Sequence, residues 1–362
     1  MPITSLIINP GSTSTKIGIF EEEKLLFDET LRHATSEIEQ FPDVLSQKDF
    51  RRKIIEDFLK EKDFDMKSLS VVVGRGGLLK PIPGGTYEVT DDLIEDLKGN
   101  KRGEHASNLG GILAREIGDS LGIPSYIVDP VVVDEMMPEA RLSGLPETPR
   151  VSIFHALNQK AVARRYAEEN GCKYEDLNLI GVHMGGGVSV VAHRKGQIVD
   201  LFSALDGDGA MSPERSGGLP VLSLVKLCCS GKYTPQQLQK MVVGNGGFNA
   251  YLGTNDMREV ESMIDAGGEK AEEAALVKKA FILQVTKDIG AMAAVLKGQV
   301  DRIIVTGGIA YDKSVTEGIR SAVSFIAPVT VYPGEDELLA LAKGALRVMR
   351  NEEKAKIYGD IR

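Results

Sequence analysis

The chain has 362 residues, 42% of them hydrophobic, enough to build the cores of two domains. Its 43 Lys and Arg against 52 Asp and Glu give a formal charge of −9, which argues against a nucleic-acid or anionic-membrane surface. Any anionic ligand must then be met by locally placed cations. No apolar run approaches the ~20 residues needed to span a bilayer. The stretch MPITSLIINPGS has no basic segment followed by a long apolar core, so a cytoplasmic protein without membrane partners is expected. Cys172, Cys228 and Cys229 fit no zinc spacing and read as buried or half-buried free thiols.

From Leu6, LIINPGSTSTKIGIFEEEKLLFDE reads as strand, small polar turn, strand, charged turn and strand. From Leu179, nearly half a chain later, LIGVHMGGGVSVVAHRKGQIVDLF repeats that pattern, which points to a duplicated domain. Between the copies, FPDVLSQKDFRRKIIEDFLKEK has apolar residues at helical spacing, and LSVVVGRGG reads as a buried strand opening into a loop at Arg75. SNLGGILAREIGDSLG reads as a helix ended by glycine, and SYIVDP as a buried strand with Asp129 at its end. The stretch PEARLSGLPETPR at 138–150 reads as a linker between halves. Ser152 is placed as the N-cap of a helix over IFHALNQKAVARRYAEENG. Helices are expected from Val221 to Lys297, then a strand into a double glycine in VDRIIVTGGIAYD, a strand and turn in VTVYPGEDE, and a final helix that could pack back on the first half.

Both repeated turns suit phosphate. Asn9, Gly11, Ser12, Ser14 and Lys16 bring an amide, hydroxyls and an ammonium, although such a turn alone is an ordinary hairpin. Gly185, Gly186 and Gly187 let the backbone approach a ligand closely, with His183 as a donor beside them. Gly307 and Gly308 after a buried strand could accept a flat base or ribose. Arg75, Arg215 and Arg258, each in a loop context, offer two-pronged grips for carboxylate or phosphate. Asp129 and Glu337 suit Mg²⁺, which needs one or two carboxylates and shares substrate phosphates. His105 and His155 are candidate donors to a transferring phosphoryl group.

NPGSTSTK, RGGLLKPIPGG, GEHASNLGG, VDPVVVDEM, SIFHALNQK, HMGGGVS, DGDGAMSPERSGG, FNAYLGTNDMRE and TGGIAYD, in this order over essentially the whole chain, closely resemble the acetate kinase family, and within it the branch acting on butanoate. More broadly the chain resembles the superfamily of acetate and sugar kinases, heat-shock ATPases and actin. The resemblance implies an α/β fold of duplicated ribonuclease-H-like (actin-like ATPase) domains flanking a nucleotide cleft. The first domain is taken as 1–148 plus a C-terminal helix at 338–362, and the second, with nucleotide-binding elements, as 149–337.

The implied reaction is ATP + butanoate ⇌ ADP + butanoyl phosphate with Mg²⁺. By resemblance Arg75 and Arg215 orient the carboxylate and neutralise charge, and His155 donates to the equatorial oxygens. Asn9, Asp129 and Glu337 place metal and phosphates. His105 is assigned to the substrate, His183 and Gly185 to Gly187 to the phosphates, Asp256 and Arg258 to ribose and diphosphate, and Gly307 and Gly308 to adenine. Two departures stand out. Gly76 and Gly77 replace bulkier residues of acetate kinases, which should enlarge an acyl pocket, and HMGGG lacks an asparagine, leaving phosphate contact there to the backbone. A homodimer or larger homo-oligomer through the second half is implied. Alternatives are kinases of acetate, propionate or 2-methylpropanoate, a sugar kinase using Asp129 as base, and an actin- or chaperone-like ATPase without a small-molecule acceptor.

Overall fold

The computed structural model describes residues 2–99, 101, 103–203, 205 and 207–360. Two compact units divide it: Met1–Asp134, Ala156–Asn158 and Asp336–Arg362 form the first, and Glu135–His155 with Gln159–Glu335 the second. Of the C-terminal stretch assigned to the first domain, 361 and 362 lie outside the described residues.

The first unit is built on a six-stranded sheet of β1 (Thr4–Pro10), β2 (Ser14–Glu21), β3 (Lys24–Arg32), β4 (Val71–Arg75), β5 (Thr86–Glu88) and β6 (Ser125–Val128). Its order is β3-β2-β1-β4-β6-β5. The β1–β3 meander is antiparallel, β4 and β6 add in parallel to β1, and β5 closes the edge antiparallel. The second unit holds β7 (Asn178–Met184), β8 (Val188–Arg194), β9 (Gln197–Ser203), β10 (Arg302–Gly307) and β11 (Val329–Pro333) in the order β11-β10-β7-β8-β9. Meander, then two parallel strands: the two sheets share one plan. Each also slips register once, between Ile19 and Phe20 and between Ala192 and His193, equivalent places in the repeat. The central strands β4, β7 and β10 are largely apolar and buried, β7 along its whole length, whereas the edge strand β3 is mostly exposed.

Close backbone crossings fix the parts that carry candidate residues. A Cβ on Gly74 would lie 2.0 Å from the Gly110 carbonyl, and one on Gly110 2.3 Å from the Arg75 carbonyl, so β4 and the helix Asn108–Leu121 touch backbone to backbone. On the first sheet, the helix Glu337–Met349 packs so closely that a Cβ on Gly344 would meet Val128 at 2.5 Å, and the Thr86 hydroxyl donates to the Gly344 carbonyl at 3.0 Å.

Several expectations need correction. The stretch 135–148 belongs to the second unit, and Glu337 to the first. The supposed linker is fixed at its ends: just before it Lys160 pairs with Glu135 at 2.9 Å and the Met137 amide donates to the Val199 carbonyl at 2.9 Å, and at its last residue Arg150 grips Asp200 at 2.9 Å and Asp208 at 3.1 Å. The helix expected after Ser152 starts at Ala156 with His155 in the N-cap position, so Ser152 is not its N-cap. All three cysteines are exposed rather than buried. No helix among the described residues is long and apolar enough to cross a membrane.

Candidate functional site

In the first unit, three residues far apart in sequence converge. Asn9 sits near the end of β1, Arg75 ends β4, and Glu337 opens the helix Glu337–Met349, whose N-cap Asp336 accepts the Leu339 amide at 3.2 Å. The Asn9 amide donates to Glu337 Oε2 at 2.7 Å, and the Arg75 guanidinium pairs with Glu337 Oε1. Glu337 therefore holds a cation and an amide on separate oxygens, poised at a helix N-terminus that favours negative charge. His105 stands near Arg75. Its Nδ1 accepts the Ser107 amide at 3.2 Å, which leaves Nε2 to donate, and desolvation together with the Arg75 charge holds its pKa below the ordinary value. Asp129 is 1% exposed, in a left-handed backbone conformation, and accepts the Gly85 amide at 2.6 Å through Oδ1.

Gly76 and Gly77 do not open room as expected. A Cβ on Gly76 would lie 2.5 Å from Pro130, and one on Gly77 2.6 Å from the Asn108 Cα. The missing side chains admit neighbouring chain. Ser12 is exposed and Ser14 half-buried on the β1–β2 turn, while the Lys16 ammonium pairs with Asp28 at 3.3 Å on the sheet surface. A polar pocket of about 450 Å³ in this unit is lined by Lys80, Asp92, Glu95, Asp96 and Tyr358, and by none of the candidate residues.

In the second unit the rings of His155 and His183 stack, centroids 3.8 Å apart and 15° from parallel. His183 Nε2 lies 3.0 Å from Glu335 Oε1, and His155 Nδ1 lies 3.1 Å from the Ser189 hydroxyl. The Ser189 hydroxyl thus holds one nitrogen of His155, and a carboxylate oxygen stands close to one nitrogen of His183. The turn Gly185–Gly187 follows His183. The Gly186 carbonyl accepts the Ser212 hydroxyl at 2.7 Å, and a Cβ on Gly187 would sit 2.2 Å from the Arg215 guanidinium. Only glycine lets Arg215 lie there. Burial lowers the Arg215 pKa while Glu214 raises it, and the guanidinium has no hydrogen bond or ion pair among the described residues. A half-buried cation with no hydrogen bond to a carboxylate among the described residues is a ready anion site.

Gly307 has φ of +91°, and a Cβ there would meet the Met184 carbonyl at 2.3 Å, so this glycine serves the close approach of the paired strands β10 and β7; a Cβ on Gly308 would meet nothing within 4 Å. Asp256 caps the helix Met257–Ala266, accepting the Arg258 amide at 2.8 Å, and the Arg258 guanidinium folds back onto the same carboxylate at 2.5 Å. That pair stays on the surface, its Arg258 side chain 91% exposed. The grouped residues are therefore Asn9, Arg75 and Glu337 in one unit, and His155, His183, the glycine turn and Arg215 in the other. Sequence reasoning missed Glu335, Glu214 and Ser189. Glu335 was visible in the run GEDE after a strand, two residues before Glu337.

Two copies of a meander-plus-parallel sheet, each with a small-residue turn between its first two strands, define the actin-like ATPase fold. The crystal structure of Porphyromonas gingivalis acetate kinase superposes with a TM-score of 0.80 over 96% of this chain and 100% of that one, at 20% identity. Residues 148–327 match the Acetokinase family model. The chain is 60% identical to the probable butyrate kinase of Clostridium botulinum (strain Eklund 17B / Type B), covering 98% of this chain and 99% of that one. It is 57% identical to butyrate kinase 2 of Clostridium acetobutylicum, covering 99% and 100%. The chain belongs to the acetokinase family.

Proposed function

We propose that this protein is a short-chain carboxylate kinase that catalyses ATP + butanoate ⇌ ADP + butanoyl phosphate by direct in-line phosphoryl transfer. The observation that carries this reading is its near full-length likeness to the clostridial butyrate kinases, at 57–60% identity. The acceptor carboxylate is already ionised at neutral pH, so no general base is needed. The catalytic task is to hold two anions together and to spread the phosphoryl charge onto preorganised donors.

Arg215, whose guanidinium has no hydrogen bond or ion pair among the described residues, and Arg75 are assigned to that neutralisation. His155 donates to the phosphoryl oxygens, its ring held by Ser189 and stacked on His183. Asn9, Ser12, Ser14, Lys16, His183 and the Gly185–Gly187 turn are assigned to the phosphates. Asp256, Arg258, Gly307 and Gly308 are assigned to the nucleoside, and His105 to the carboxylate.

The donor set fits Mg²⁺. Among the described residues no group of three or more His, Cys, Asp or Glu could hold a metal alone, as suits an ion that shares nucleotide phosphates. Glu337, whose two oxygens each carry one partner and retain a lone pair, and the buried Asp129 would hold it. When bound, the ion neutralises charge on the β- and γ-phosphates.

We also assign a cytoplasmic homodimer or larger homo-oligomer. Supporting it, the helix Val221–Cys228 has no buried residue, with Val221 70% and Leu222 78% exposed. The test of substrate is the rate of ADP formation with ATP, Mg²⁺ and straight and branched acids of two to five carbons. Butanoate should give the highest kcat/KM, with branched acids close behind, since one methylene is worth only about 1–3 kcal/mol. Preference for acetate would overturn butanoate as substrate, and absence of carboxylate-dependent ADP would overturn the kinase reading.

A further inference from the structure

The β1–β2 turn is held from beneath by one side chain. Arg51, on the helix Lys48–Glu61, is 1% exposed. Its Nη1 donates to the Gly11 carbonyl at 2.8 Å, the Ser14 carbonyl at 3.0 Å and the Thr15 hydroxyl at 3.1 Å. Its Nη2 donates to the Ser12 carbonyl at 3.0 Å and to Gln47 Oε1 at 2.8 Å, the latter also accepting from Nε at 3.1 Å. Every acceptor is neutral. Burial pushes the Arg51 pKa down to about 10, so the group stays charged at pH 7, and no carboxylate pairs with it among the described residues. The neighbouring His33, whose Nε2 lies 2.9 Å from the Thr15 hydroxyl, is pushed down to about 4 by burial and adds no second charge.

The turn's hydrogen bonds account for its orientation. The remaining carbonyl, of Thr13, accepts the His33 amide at 2.9 Å, and the Gly11 amide donates to the Ser14 carbonyl at 2.8 Å. The amides of Ser12 and Thr13, both exposed residues, find no acceptor among the described residues. Buried arginines are ordinarily paired with an anion, and consecutive free amides form an anion-binding concavity. Both features ask for the same absent partner.

We propose that Arg51 is a positioning residue for nucleotide phosphate: it turns the Gly11, Ser12 and Ser14 carbonyls inward, frees the Ser12 and Thr13 amides for a phosphoryl oxygen, and sets an uncompensated positive charge behind them. Lys16, tied to Asp28, is not the main cation of this turn. The identity of the anion rests on the kinase reading above.

Two experiments test it. In the wild-type protein, hydrogen–deuterium exchange across residues 10–16 should slow at Ser12 and Thr13 when ATP and Mg²⁺ are added; unchanged exchange overturns the proposal. In Arg51→Met the Kd and KM for ATP should rise roughly tenfold to a hundredfold with the KM for butanoate unchanged, and Arg51→Lys, which keeps charge but reaches fewer acceptors, should fall between. Folded variants with wild-type ATP affinity, or with equal losses toward both substrates, overturn it. If the wild type binds ATP yet forms no acyl phosphate, the kinase reading fails while the ATP affinities still decide the role of Arg51.

Discussion

Asp288→Asn should abolish a loss of stability that the wild-type protein suffers as pH rises. Asp288 and Gln284 lie one turn apart on the helix Glu269–Val295 and hold the loop leading to Arg215, accepting the Ala210 amide at 2.7 Å and the Met211 amide at 2.8 Å. Burial, reinforced by the charge of Asp208 and opposed by the Ala210 amide and Lys287, pushes the Asp288 carboxyl up to about 7 from 3.8. Asp208 itself faces Arg150. A group whose folded pKa is raised gives stability that is complete below its unfolded pKa and is lost as pH climbs through the folded one. Roughly three pKa units at about 1.4 kcal/mol each set an upper bound of about 4 kcal/mol lost between pH 4 and pH 8. Asparagine keeps an oxygen for the Ala210 amide and carries no charge. Urea denaturation followed by circular dichroism at constant ionic strength should therefore find the variant equal to wild type near pH 4 and more stable by up to about 4 kcal/mol at pH 8. A variant that follows the wild-type pH profile, or is weaker by a constant amount, refutes the reasoning.

Three further substitutions separate catalysis from packing. Gly187→Ala places a Cβ 2.2 Å from the Arg215 guanidinium, the mobile end of a long side chain, so the fold should survive while turnover falls on the order of 10²-fold; unaltered kinetics would contradict the placement of Arg215. Gly77→Ala drives a Cβ against the Asn108 backbone and should cost about 1–3 kcal/mol in denaturation, whereas unchanged stability with a shift toward shorter acids would restore the acyl-pocket reading. Arg75→Ala leaves Glu337 with Asn9 alone and should cut turnover about 10²- to 10³-fold, some 3–4 kcal/mol, in a folded protein that still binds ATP; full turnover would remove Arg75 from the chemistry.

The sheets were readable in sequence because continuous apolar strands and their turn residues are local signals, and the repeat exposes the duplication without any contact being known. What depended on partners was not readable. PEARLSGLPETPR has linker composition, but Arg150 anchors it through carboxylates of β9 and the following loop. Gly76 and Gly77 look the same in sequence whether a glycine makes space or admits another backbone, and here it admits Pro130 and Asn108. Cys228 and Cys229 fit no zinc spacing and read as buried or half-buried thiols, yet they lie in and beside a helix with no buried residue. Arg51 reads as one basic residue on a charged helix, since only the fold brings the turn's carbonyls over it. Among the site residues, sequence reasoning groups Asn9 and Glu337 with Asp129 and names Arg75 apart, and the Glu337 carboxylate shared by Asn9 and Arg75 emerges only from the first sheet and its C-terminal helix.

The central claim is chemical, and hydroxylamine trapping of the product tests it most directly. Incubated with butanoate, ATP, Mg²⁺ and hydroxylamine, the protein should form butanohydroxamate in step with ADP, with neither appearing above background when butanoate is left out. ADP release that is indifferent to butanoate, with no hydroxamate, would contradict the account.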